Sequence, residues 1–125
     1  MRPRVLIVDD YEDNGEVLAA ALEARGYSTR YVPDAATALG VLQEFQPEVA
    51  IVDILLPDMD GYALGRAMRA TPGFERLCLI ALSGFSRDPA QATESGFHGH
   101  VLKPVSLDKL DKTIAECHAI ATASP

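Results

Sequence analysis

Val49-Ala50-Ile51-Val52-Asp53 is the stretch on which the fold turns: an unbroken apolar run that leaves through a carboxylate straight into a loop. A strand wetted on one face alternates apolar and polar residues. A continuous run is what a strand requires when helices cover both of its faces. Two more blocks read the same way: Val5–Val8 leads into Asp9-Asp10, and Leu77–Leu82 leads into Ser83. Tyr27–Val32 is more polar and fits an edge strand, while Val101-Leu102, just before Lys103-Pro104, fits a short fifth strand.

Helical spacing fills the intervals. Val17, Leu18, Ala21 and Leu22 mark a first helix, with a basic last turn and a glycine stop at Arg25-Gly26. Ala35, Ala38, Leu39, Leu42 and Phe45 mark a second, capped by Asp34 and ended at Gln46-Pro47. Leu64, Ala67 and Met68 give a third, closed by Thr71-Pro72-Gly73. Pro89–Ser95 is a short, weakly apolar fourth. Leu107, Leu110, Ile114, Cys117 and Ala121 form a long fifth with Ser106 as its cap. Strands alternating with helices predict an α/β fold of (βα)₅ type, a doubly wound parallel sheet with right-handed crossovers. The predicted domain occupies residues 1–121, with 122–125 as a loose C-terminal end.

Length and composition agree. The chain has 125 residues, 48% of them apolar and 6% aromatic with no Trp, so one aliphatic core is expected. A net charge of −7 disfavours both nucleic-acid phosphates and anionic membrane surfaces. No apolar run approaches a bilayer span, and Met1-Arg2-Pro3-Arg4 does not begin a signal peptide. Cys78 and Cys117 are too few for a disulfide framework or a four-ligand zinc site. Each is read as a small core residue in a reducing cytoplasm.

Parallel sheets of this kind bind ligands at the carboxyl ends of their strands. Asp9, Asp10, Asp53, Ser83 and Lys103 all fall at such ends, whereas the second strand, ending in Val32-Pro33, contributes no evident chemistry. Three crowded carboxylates repel one another, and Mg²⁺, a hard cation with a preference for oxygen, relieves that repulsion. Asp53 is the best-placed nucleophile for an acyl phosphate. The Lys103 ammonium and the Ser83 hydroxyl suit the phosphoryl oxygens.

Across nearly its full length the chain resembles the receiver (CheY-like) domain of two-component response regulators. The resemblance rests on Val5-Leu6-Ile7-Val8-Asp9-Asp10, on Val52-Asp53 followed by Leu56-Pro57-Asp58-Met59-Asp60-Gly61, on Ala81-Leu82-Ser83-Gly84, and on Lys103-Pro104. It implies a flavodoxin-like sheet of order 2-1-3-4-5. It implies that Asp53 is the phosphoacceptor, supplied by a histidine kinase or a histidine phosphotransfer protein. Asp10, Asp53 and the Leu55 backbone carbonyl would ligate Mg²⁺, with Asp9 acting mainly through a coordinated water. Ser83 would move toward the phosphoryl group, Lys103 would pair with it, and a cis bond before Pro104 would aim the lysine. The face built by the fourth helix, fifth strand and fifth helix would meet an effector protein or a second copy in a homodimer.

One position departs from the pattern. Where receivers often carry Tyr or Phe, three residues before the lysine, this chain has His100. A partly exposed His100 and a signal carried by Ser83 and the Gly84-Phe85-Ser86 loop are the expectation. The strings His100–Val105 and Asp9–Asn14 resemble receivers fused to hybrid histidine kinases. No DNA-binding or enzymatic output module is legible, so the output is expected from another chain or from another part of a longer one.

Blander readings stand beside these. A lone Asp-Asp pair is usually a solvated turn, and Asp53 alone fits a helix cap; the joint placement with Ser83 and Lys103 favours chemistry. Asp58 or Asp60 is expected to cap the third helix. His98 and His100 fit a loop or strand edge better than a metal site, and His118 a solvated helix face. A Mg²⁺-dependent phosphohydrolase is the enzymatic alternative, but its usual acid two residues beyond the nucleophile is absent: Tyr11 and Leu55 stand there. A phosphate-independent binding module is the third reading. The expectation is a cytoplasmic signalling switch rather than a turnover enzyme.

Overall fold

In the computed structural model, the three apolar blocks become the three central strands of one parallel sheet. The structure describes residues 3–83, 96–103 and 105–123, with side chains to residue 119. The elements run β1 (Arg4–Val8), α1 (Glu12–Ala24), β2 (Ser28–Val32), α2 (Ala35–Phe45), β3 (Val49–Asp53), α3 (Gly61–Arg69), β4 (Cys78–Ser83), β5 (Gly99–Leu102) and α4 (Leu107–Ala123). The sheet order is β2-β1-β3-β4-β5, all parallel. This is the predicted flavodoxin-like order. The helix expected at 89–95, the loop 84–86 and Pro104 lie outside the described residues.

Strand alternation divides the core in two. Leu6, Val8, Ala50, Val52, Leu79 and Ala81 pack with α2 and α3 on one face. Val5, Ile7, Val49, Ile51, Ile80 and Leu82 pack with α1 and α4 on the other. Each fully buried Val, Leu or Ile among them contributes roughly 1.5–3 kcal/mol. Burial on both faces is why the interiors of these strands carry no polar residue, Arg4 standing exposed at the very start of β1.

The helices carry most of the departures from expectation. In α1 the buried positions are Gly15, Leu18 and Leu22, and Val17 is 69% exposed rather than part of the core face. One residue's step rotates a helix by about 100°, which takes Val17 off the stripe set by Leu18 and Leu22. Asp34 caps α2 as predicted, accepting from Thr37 N–H at 2.8 Å. Asp60 caps α3 through Tyr62 N–H. Asp58 does something else: its two carboxylate oxygens accept from Ala35 N–H and Ala36 N–H at the start of α2. It therefore ties the loop after β3 to a different helix. Ser106 caps α4, accepting from Lys109 N–H. His118 is not simply solvated; its Nε2 lies 3.2 Å from Glu48 Oε2.

Cys78 and Cys117 are also not independent core thiols. They are paired as a disulfide, with Cα atoms 5.8 Å apart. Cys78 shares a face with Ile80 and Leu82, and Cys117 follows Leu110 and Ile114 on the buried stripe of α4. Sequence periodicity places both inward, but only the seating of α4 on β4 brings them opposite each other.

Candidate functional site

The carboxyl ends of the strands are held level by hydrogen bonds that continue beyond the sheet. Asp9 N–H donates to Val32 carbonyl, Ile54 N–H to Leu82 carbonyl, and Lys103 N–H to Ser83 carbonyl. Each bond fixes a site residue, or its immediate neighbour, against the adjacent strand. The result is convergence: one carboxylate oxygen from each of Asp9, Asp10 and Asp53 lies within 4.8 Å of the others. Asp9 and Asp53 are buried and Asp10 is exposed.

Lys103 reaches the cluster from β5. Its Nζ lies 3.1 Å from Asp53 Oδ2 and 3.5 Å from Asp9 Oδ2. The remaining oxygens are oriented by backbone, Tyr11 N–H donating to Asp9 Oδ1 and Leu55 N–H to Asp53 Oδ1, both at 2.9 Å. Ser83 is buried at the end of β4, one residue beyond Leu82, the register partner of Asp53. His100 is partly buried in β5, in register with Ala81. Leu55 lines an open hollow with Asp10, Pro57 and Asp60.

Electrostatics explain why this arrangement is unbalanced as it stands. Burial pushes the Asp9 carboxyl above the ordinary range. Its Tyr11 bond and Lys103 oppose the rise, and the Asp53 charge adds to it. Burial works against the Lys103 ammonium, but the Asp53 hydrogen bond and the two carboxylate charges outweigh it and leave its pKa raised. Among the described residues, the one ammonium at the cluster pairs with two of its three carboxylates, Asp9 and Asp53. That excess of hard, negatively charged oxygen fits a divalent cation such as Mg²⁺.

The imbalance has a measurable consequence. Without divalent metal at neutral pH, Asp9→Asn is expected to stabilise the fold by about 1 kcal/mol, since the amide keeps an acceptor for Tyr11 N–H and loses the buried charge. A carboxyl whose folded-state pKa lies above its ordinary value of 3.8 stabilises the fold while protonated. Wild type loses that contribution as pH rises through the raised pKa. The advantage of the Asn variant should therefore disappear toward pH 3.8. Urea midpoints measured across the acid range in chelator check this, and a pH-independent advantage would contradict it.

A family model for the response regulator receiver domain matches residues 5–115, a span that includes every one of these residues. The chain belongs to the response regulator receiver family. Receiver domains are phosphorylation-controlled switches of two-component systems, with Mg²⁺ typical of their acidic pockets. Similar proteins include the DNA-binding response regulator MtrA of Mycolicibacterium smegmatis, 34% identical over 110 residues, or 88% of this chain and 48% of that one. The chain thus spans about half the length of that relative. Among solved structures, a putative response regulator from Chloroflexus aurantiacus superposes with a TM-score of 0.87 at 28% identity, covering 95% of this chain and 99% of that one. The signal receiver domain of a signal transduction histidine kinase from Syntrophus aciditrophicus gives 0.84 at 29%, covering 98% and 95%.

Two features of the site escaped sequence reasoning. Tyr31 on β2 donates its hydroxyl to the Asp9 carbonyl at 2.6 Å, so the second strand does serve the site. A Cβ at Gly15 would lie 2.1 Å from the Tyr31 ring, so that contact requires glycine in α1. Gly61 is the second. Its N–H donates to Ile54 carbonyl, and a Cβ there would lie 2.5 Å from the Asp53 carbonyl oxygen. In the sequence Gly61 stood only as the last residue of the Leu56–Gly61 motif, with nothing to mark it as the wall behind Asp53.

Proposed function

We propose that this receiver accepts a phosphoryl group on Asp53 from a phosphohistidine of a histidine kinase or phosphotransfer protein, and changes partner binding in consequence. The observation that carries the reading is the approach of Lys103 Nζ to Asp53 Oδ2, 3.1 Å, within a cluster of three carboxylates. Any one of these groups alone has a structural explanation. Together they supply a nucleophile, a cation for phosphoryl oxygens and an oxygen-rich metal pocket.

In the transfer, a carboxylate oxygen of Asp53 forms a bond to phosphorus while the phosphorus–nitrogen bond to the donor imidazole breaks. The imidazole leaves with the bonding pair and takes up a proton. Leu55 N–H holds one Asp53 oxygen in place, which limits rotation of the carboxylate during attack. Lys103 would follow charge onto the phosphoryl oxygens, and Ser83 would donate its hydroxyl to one of them. Asp10, Asp53 and the Leu55 carbonyl would hold Mg²⁺, with Asp9 acting through water; the ion would supply charge neutralisation at the phosphoryl oxygens.

The domain would catalyse its own phosphorylation and slow dephosphorylation without turning over an independent substrate. Neutralising Asp53 and drawing Lys103 away from it would bias a two-state equilibrium read by an effector protein or a second copy. The cytoplasm is the proposed setting; among the described residues no helix is long and apolar enough to cross a membrane.

Incubation with a small acyl phosphate, with Mg²⁺ and then with chelator, tests this. The expected product is a hydroxylamine-labile adduct of one phosphoryl mass, mapped to Asp53 and lost in chelator. An adduct on another residue would overturn the reading.

A further inference from the structure

Cys78 opens β4 at the end of the strand opposite Ser83, so the cysteine pair is separate from the acidic hollow. Cys117 faces it from α4, which packs on β4 and β5. The Cα separation of 5.8 Å lies in the range a disulfide spans without backbone movement, and the bond joins residues 39 apart in sequence. Both side chains are buried, at 0% and 2% exposure. A ring nitrogen of His98 nevertheless comes within 4.8 Å of both sulfurs, and His98 itself is exposed. The pair therefore lies one side chain below the surface.

We propose that Cys78 and Cys117 form a reversible thiol–disulfide modification site, closed by a peroxide or a low-molecular-weight disulfide, that fixes α4 against the sheet. With hydrogen peroxide, one thiolate attacks a peroxide oxygen, giving a sulfenic acid and, after protonation of the leaving hydroxide, water. The second thiol attacks that sulfur, forming the S–S bond and releasing a second water. The cysteines lose two electrons and two protons, and the peroxide takes them up. Burial of the sulfurs makes exchange slow, so each state persists once formed.

The test uses the whole chain equilibrated in glutathione buffers from reducing to oxidising, then quenched in denaturant with a maleimide. At the oxidising end the intact mass should fall by two hydrogens with no maleimide uptake, and a dithiol reductant should restore two reactive thiols. Closing a loop of this length should raise Tm by roughly 10 °C relative to the reduced form. Hydrogen exchange in α4 should slow on oxidation. In Cys117→Ala, or Cys78→Ala should the first variant not fold, Tm should no longer respond to redox poise. Two reactive thiols at the oxidising end would overturn the proposal, as would equal α4 exchange in both forms. Retention of one Zn²⁺ by the reduced protein, with thiols shielded until chelator is added, would replace it with a Cys₂His metal site.

Discussion

Asp53→Asn is expected to lower phosphoryl labelling by a small acyl phosphate to below roughly one thousandth of the wild-type rate. The amide is nearly isosteric with the carboxylate and keeps an oxygen to accept from Leu55 N–H, a bond of 2.9 Å in the wild type. What it loses is the charged, nucleophilic oxygen and one of the two carboxylates beside Lys103. Lys103 retains Asp9, whose Oδ2 is 3.5 Å away, so the ammonium is not stranded. The fold should survive, and thermal unfolding should remain cooperative. Intact-mass kinetics at matched donor and Mg²⁺ concentrations provide the measurement. Labelling of the variant at the wild-type rate would place the acceptor elsewhere and remove the centre of the proposed function.

Gly61→Val should carry the largest stability cost of any single change near the site, about 3 kcal/mol by urea denaturation. The reason is steric. A Cβ at this position would lie 2.5 Å from the Asp53 carbonyl oxygen and 2.6 Å from Ile54 Cα, and both obstacles are backbone. Side chains can rotate away from an intruder; the end of β3 cannot move without carrying Asp53 with it. The variant should accordingly lose Mg²⁺ affinity together with stability. Gly40→Ala is the control, because nothing lies within 4 Å of a Cβ there. That position is inside α2, where alanine should stabilise by about 0.5–1 kcal/mol. Equal stability of Gly61→Val and wild type would show that the turn has room the geometry denies.

The two-faced burial of β1, β3 and β4 and the residues at their carboxyl ends were legible in the chain's own pattern, whereas the strand order followed from the family resemblance. The Asp34 and Ser106 caps were legible too, because a cap and its N–H are three residues apart. Asp58 was not, since its partners at Ala35 and Ala36 lie on another element. Val17 was misread for a related reason: several apolar residues on one helix leave more than one choice of inward stripe.

Local geometry made the sequence sufficient for some conclusions. The two-residue period of a strand and the 3.6-residue period of a helix are properties of single elements, so they reveal which side chains turn inward and which residues stand at strand ends. Encounters across the molecule had to wait for the assembled structure. The pairing of Cys78 with Cys117, the Tyr31 hydroxyl on the Asp9 carbonyl and the closeness of Gly61 to Asp53 depend on how far each helix slides and rotates on the sheet. That seating is chosen by the packing of the whole core, and no local pattern encodes it.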